Sequence, residues 1–157
     1  MTVLVPMSAE VFKDYIEDAI AGYARDNVES GRWPAEGALA RSQADFDSSL
    51  PQGLATPDNY LFEIRTAEHG LLAGYIWFAV VEKNGLLSAF VYDVEIKEEF
   101  RRQGHAAAAF ATLEPVVRKL GLTSIGLHVF NHNPGAQALY RKLGYEVTSV
   151  NMRKELS

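Results

Sequence analysis

The spacing of apolar positions changes along the chain, and each change marks an element. "TVLVP" reads as a short strand closed by Pro6. Val11, Phe12, Tyr15, Ile16, Ala19, Ile20 and Tyr23 then recur at helical spacing, which predicts an amphipathic helix from about Ala9. Ser8 suits its N-cap, Glu10 and Asp14 its early turns, and "ESGRWP" its end. A second helix is expected over roughly 35–49, where alanine and charged residues dominate, and "LPQGLATPDN" follows as an irregular link. "YLFEIRT", "LAGYIWFAVV" and "LSAFVYDVEI" are β-branched or aromatic runs. The short "EHG" and "EKNG" between them favour an antiparallel meander.

Beyond Ile96 the period changes. Phe110, Leu113, Val117 and Leu120 form a stripe between Gly104 and Gly121, predicting a helix of about four or five turns. Pro115 lies inside it, and its missing N–H predicts a kink or an early break. "SIGLHVF" reads as a strand, "NPGAQALYRKL" as a helix closed by Gly144, and "YEVTSVNMRKEL" as a final strand with a polar tail. This order predicts one α/β layered domain over 1–157, built around a mixed sheet and not doubly wound.

Composition narrows the setting. A chain of 157 residues with 48% hydrophobic and 22% charged positions has the size and balance of one soluble domain. The longest apolar run, "GLLAGYIWFAVV", is too short to span a bilayer, and "MTVLVPM" lacks the basic start of a secretory signal, so no membrane association is expected. The absence of cysteine excludes disulfides, thiolate metal sites and a cysteine nucleophile; it fits a reducing compartment, with the cytoplasm as the expected location. A net charge of -5 argues against nucleic-acid binding and suits a cationic acceptor. Histidines 69, 105, 128 and 132 give no metal site by spacing, because His128 and His132 straddle a strand end and not a helical turn.

Two stretches carry candidate chemistry. In "FRRQGHAAAAF" a glycine turn precedes an alanine run, which is either a phosphate cradle or an ordinary helix start. "LHVFNHNPGAQALYRKLGYE" sets Val129, Asn133, Ala136, Leu139, Tyr140, Gly144 and Tyr145 at fixed spacing. Together, about thirty residues apart, the two stretches resemble the GNAT superfamily of acetyl-CoA-dependent N-acetyltransferases, with Arg101, Gly104 and Ala106 matching one signature and Ile96 its upstream hydrophobic position. Ala106 stands where glycine is commonest in that family, and Lys97 and Glu98 stand where it often has a short residue and proline.

The resemblance implies a mixed, mostly antiparallel central sheet flanked by helices and splayed between the fourth and fifth strands. It implies acetyl-CoA as donor, with Arg101, Arg102, Gln103, Gly104, His105, Ala106 and Ala107 cradling the pyrophosphate, mostly through backbone amides. Val94, Glu95 and Ile96 would pair with the pantetheine arm, Asn133 would bond it directly or through water, and Ala136 and Tyr140 would complete the site. His105 has no side-chain role in this reading.

For catalysis the resemblance implies Tyr140 as the acid that protonates the departing thiolate; packing on the inner helix face is the alternative. Glu95 is the candidate base. Strand alternation puts it with Asp93, opposite Tyr92, Val94 and Ile96, and the alternative is a surface or ion-paired role with a water chain taking the proton. Trp33 and Trp77 either wall the acceptor pocket or belong to the core. The expected reaction is acetyl transfer to a primary amine of a small molecule or peptide by direct attack in a ternary complex. A non-catalytic acyl-CoA-binding or sensing module is one rival, and an interaction domain whose exposed last strand, 145–152, pairs two copies is a second; a homodimer is compatible with catalysis.

Overall fold

The structure is a computed structural model and describes residues 2–157. Five strands, β1 (Thr2–Pro6), β2 (Asn59–Thr66), β3 (Leu72–Lys83), β4 (Leu86–Ile96) and β5 (Ile125–Leu127), form one sheet in sequence order. The first three junctions are antiparallel, β2–β3 and β3–β4 through short turns and β1–β2 across the two helices between them, and β4–β5 is parallel. A parallel pair needs a crossover, which helix α3 (His105–Lys119) supplies.

Helices α1 (Ala9–Glu29) and α2 (Ala38–Ser49) cover one face of the sheet, and α3 with α4 (Pro134–Lys142) the other. β3 runs between them buried on both faces: Ile76 and Phe78 pack with Phe110, Leu113 and Val117 of α3, while Tyr75 and Trp77 pack with Tyr15, Ile20 and Phe46 of α1 and α2. That is why its sequence is a continuous apolar run and not an alternating one. Ser8 caps α1 through its side chain, which accepts from Val11 N at 3.1 Å. The Ser8 N–H donates at 2.9 Å to Glu63, a buried carboxylate that Arg65 also pairs.

Four local expectations change. α2 starts at Ala38, because Gly37 before it takes a left-handed φ of 76°. α3 does not break at Pro115 but continues to Lys119; the proline and Ala111 four residues earlier are both exposed, so the carbonyl that loses its partner faces water, while Leu113 and Val117 anchor the inner face. "SIGLHVF" contributes only Ile125–Leu127 to the sheet. No strand forms over 145–157: β5 pairs through three residues only and offers no long edge, and Val147, Val150 and Met152 stay exposed.

Candidate active site

The site is made by an irregularity in β4. Asp93 pairs with Trp77 and Val91 with Phe78, so Tyr92 is an extra residue and the strand bulges there. Ala89 and Val91 before the bulge, and Val94 and Ile96 after it, pack toward α3, while Asp93 turns to α1. Glu95 follows Asp93 by strand alternation. Tyr92 does not stand with Val94 and Ile96 as alternation predicts: its ring stacks on Trp77 at 4.8 Å.

β5 pairs only with Ala89, Phe90 and Val91. Past the bulge the two strands separate, giving the expected splay between the fourth and fifth strands. From Asp93 to Ile96, β4 keeps β3 on one side and has no strand on the other. Lys97 N donates to Ala73 O on the β3 side at 2.8 Å, so by alternation the peptide groups of Val94 and Ile96 face the open side. Arg101 Nε reaches back to one of them, the Ile96 carbonyl, at 2.9 Å.

This bond ties the following turn to the strand end. Arg102 (φ 62°) and Gly104 (φ 83°) both hold left-handed backbone, and α3 begins at His105. The N–H groups of His105, Ala106 and Ala107 belong to the first turn and have no acceptor within the helix; Ala108 N is the first to bond, to Gly104 O at 3.0 Å. A Cβ on Gly104 would meet no atom within 4 Å, so the space over the turn is open. Arg101, Arg102 and Gln103 are exposed, with Gln103 Nε2 donating to Glu99 O. Ala106 and Ala107 are half-buried. The His105 ring points the other way, buried edge-on to Phe100, with Nδ1 3.1 Å from Thr2 Oγ1. Only its backbone belongs to the turn.

α4 borders the other side of the splay. Asn133 is its N-cap, and its Oδ1 accepts from Ala136 N at 3.3 Å, leaving Nδ2 as the end of the side chain available to a ligand. Tyr140 is half-buried, edge-on to Phe110 and Tyr145. Burial pushes its phenol up to about 12, and the Asp93 carboxylate adds to this.

Across the opening lies a carboxylate pair on the α1 side. Tyr15, fully buried, donates its hydroxyl to Asp93 Oδ2 at 2.7 Å. Burial raises Asp93 to about 6, helped by Glu95 and Asp26, with the Tyr15 hydroxyl and Val94 N–H pulling the other way. Glu95 is half-buried and makes no hydrogen bond or ion pair among the described residues. Burial and Asp18 raise its carboxyl above the ordinary range against Arg101, Arg25 and Lys97. The Tyr15–Asp93 bond joins residues 78 apart and left no mark in the sequence beyond an apolar-face tyrosine. Trp77 is core, its Nε1 donating to Asn59 Oδ1 at 2.8 Å, and Trp33 packs edge-on against Tyr23 after α1. A groove of ≈ 380 Å³ between α1 and α2 is lined mainly by Phe12, Ile16, Ile20 and Phe46 and contains none of these candidates.

A parallel-edge splay, a glycine turn leading into α3 and an Asn-capped helix carrying Tyr140 make up an α/β scaffold with the features that the sequence resemblance implies. Residues 25–145 match the acetyltransferase (GNAT) family. The chain is 35% identical over 153 residues to the uncharacterized N-acetyltransferase YycN of Bacillus subtilis strain 168, spanning 98% of this chain and 97% of that one, and 33% identical over the same length to YdgE of the same strain. The crystal structure of the putative acetyltransferase YycN superposes with a TM-score of 0.94, covering 100% and 99% of the two chains. The protein belongs to the GNAT family of N-acetyltransferases.

Proposed function

We propose that this protein transfers the acetyl group of acetyl-CoA to a primary amine of a small molecule or peptide, by direct attack with donor and acceptor bound together. The observation that carries this reading is the splay itself, which sets an open main-chain edge between a phenol on α4 and a carboxylate pair facing α1. The chain fits acetyl-CoA on its own geometry: the Val94 carbonyl and the Ile96 N–H on an edge that no strand covers, three N–H groups at the start of α3 with no acceptor within the helix, and open space above Gly104.

Bound there, acetyl-CoA supplies an activated acetyl thioester. The amides from Arg102 to Ala107 hold its pyrophosphate, with Arg101, whose own N–H bonds the Glu98 carbonyl, fixing the turn to β4 and His105 anchoring the helix start to β1. Val94 and Ile96 pair through their backbone with the pantetheine arm, while Glu95 between them keeps its peptide groups on β3; Asn133 Nδ2 reaches the arm from α4, and Ala136 lines that side. A main-chain N–H on this edge polarises the thioester carbonyl. Glu95, the carboxylate without a partner, accepts the proton of the attacking amine, and Tyr140 Oη keeps its proton directed at the leaving sulfur. The reading places the work in the cytoplasm and involves no nucleic acid; pairing of two copies by strand addition at 145–152 drops out of it, because that segment forms no strand.

Release of free coenzyme A from acetyl-CoA, followed across polyamines, amino acids, aminoglycosides and peptides, tests this. Amine-dependent release with at least one class supports the transferase. Tight acetyl-CoA binding with no amine-dependent release from any class would instead establish a binding module.

A further inference from the structure

On the outer side of the molecule, the end of α1 faces the loop that leads into α4. His132 Nε2 lies 3.6 Å from Asp26 Oδ1 and 3.4 Å from Glu29 Oε2. The three ligand atoms all lie within 4.8 Å of one another. None of these residues has a part in the proposed acetyl transfer.

The two contacts are ion pairs at distances longer than a direct hydrogen bond, which leaves space between the three groups. A charge-assisted N–H···O bond is about 2.7–2.9 Å long, and one Nε2–H points at one acceptor, whereas here a single nitrogen sits almost equally far from two carboxylates. A tetrahedral ion with bonds of about 2.0–2.1 Å holds neighbouring ligands about 3.3–3.4 Å apart, close to the two histidine–carboxylate separations, with the two carboxylate oxygens within 4.8 Å of each other.

The electrostatics point the same way. Asp26 and Glu29 are three apart and share a helix face. They sit at the C-terminal end of α1, where the helix dipole is already negative and the last turn has no basic residue. Among the described ion pairs both carboxylates are paired with His132 alone, so a bound cation would offset them and the dipole. The imidazole is also held in place: it stacks on Phe130 at 5.4 Å, Arg32 lies over the same ring at 5.7 Å, and Gln137 Nε2 donates to the carbonyls of Phe130 and Asn131. Side-chain exposures of 31%, 48% and 56% for His132, Asp26 and Glu29 leave room for an ion to enter with water as a fourth ligand.

We propose that Asp26, Glu29 and His132 form a binding site for one divalent transition-metal ion of the zinc type. One imidazole with two carboxylates suits borderline ions and not the all-oxygen shells of magnesium or calcium. The ion staples the end of α1, the helix that carries Tyr15, to the loop that places Asn133. Its role is structural and lies outside the chemistry of the cleft.

The test uses the full chain freed of metal with EDTA. Titration calorimetry with ZnCl2 should give one ion per chain, and the thermal midpoint should rise by roughly 5–10 °C at a hundredfold excess over Kd. Co2+ in its place should give the visible absorption of a four-coordinate ion. His132→Gln and Glu29→Gln, both at exposed positions, should each weaken Zn2+ binding at least about tenfold without moving the midpoint of the EDTA-treated protein by more than a degree or two. Absence of stoichiometric binding, or an affinity unchanged in His132→Gln, would overturn the proposal.

Discussion

Gly104 shows how one residue can matter through what it lacks. Its φ of 83° is strained for any side chain, and the space above it is where a ligand's phosphates would approach the free N–H groups of α3. Gly104→Val should therefore weaken acetyl-CoA binding at least about tenfold, whereas Arg102→Ala, at an exposed side chain, should cost a few-fold at most; calorimetry with acetyl-CoA compares them. Tyr140 packs edge-on against Phe110 and is half-buried, which is the packing alternative; its proposed role as acid is a matter for experiment. In the proposed reaction, with its phenol up at about 12 and an ordinary thiol near 8.5, full proton transfer to sulfur would be uphill, so the hydroxyl would act chiefly as a hydrogen-bond donor to the charge that develops there. Tyr140→Phe should lower turnover by about 10²-fold or more with donor affinity nearly unchanged, as steady-state rates and calorimetry would show. Lost donor binding would mark the tyrosine as structural.

At the level of elements, the register of β3 against β4 decides where the carboxylates point. Gly74 lies where an added Cβ would overlap the Glu95 carbonyl oxygen and crowd the Ile96 backbone, so β4 closes on β3 only because that position has no side chain. Gly74→Ala should cost about 1–3 kcal/mol in urea unfolding and should disturb the Val94–Ile96 edge as well. Much of this layer was legible in the sequence: the meander, α1 with its Ser8 cap, and the Gly104 and Asn133 turns all follow from period and turn chemistry. What was not legible depends on partners remote in sequence. Period-2 counting cannot see a bulge, so Tyr92 was put on the wrong face; the length of β5 and the absence of a strand after Gly144 depend on which edge is left to pair with; and helix propensity alone cannot tell that Leu113 and Val117 would carry α3 past Pro115. The cluster of His132 with Asp26 and Glu29 joins residues over a hundred apart, which no spacing rule along the chain could connect.

For the molecule as a whole, the opening lies between two packed layers, one core toward α3 and another toward α1 and α2, and the Tyr15–Asp93 bond fastens the bulged strand to the second of them. Asp93 is held at about 6, above its ordinary 3.8, mainly by burial. The folded protein therefore binds more protons than the unfolded chain between those values, and stability from this group is greatest below pH 3.8, falls as pH rises toward about 6, and is flat above it. Asp93→Asn should remove that slope from urea midpoints measured between pH 4 and 7. Tyr15→Phe removes a donor that favours the charged carboxylate, so it should extend the slope to higher pH. The same titration separates the two carboxylates in function. A base must be deprotonated, so kcat/KM at fixed ionic strength should rise with pH through a value above the ordinary glutamate range, and Glu95→Gln should abolish that limb together with most of the rate. A limb near pH 6 that survives in Glu95→Gln and disappears in Asp93→Asn would move the base role to Asp93, with Tyr15 as the residue that tunes it.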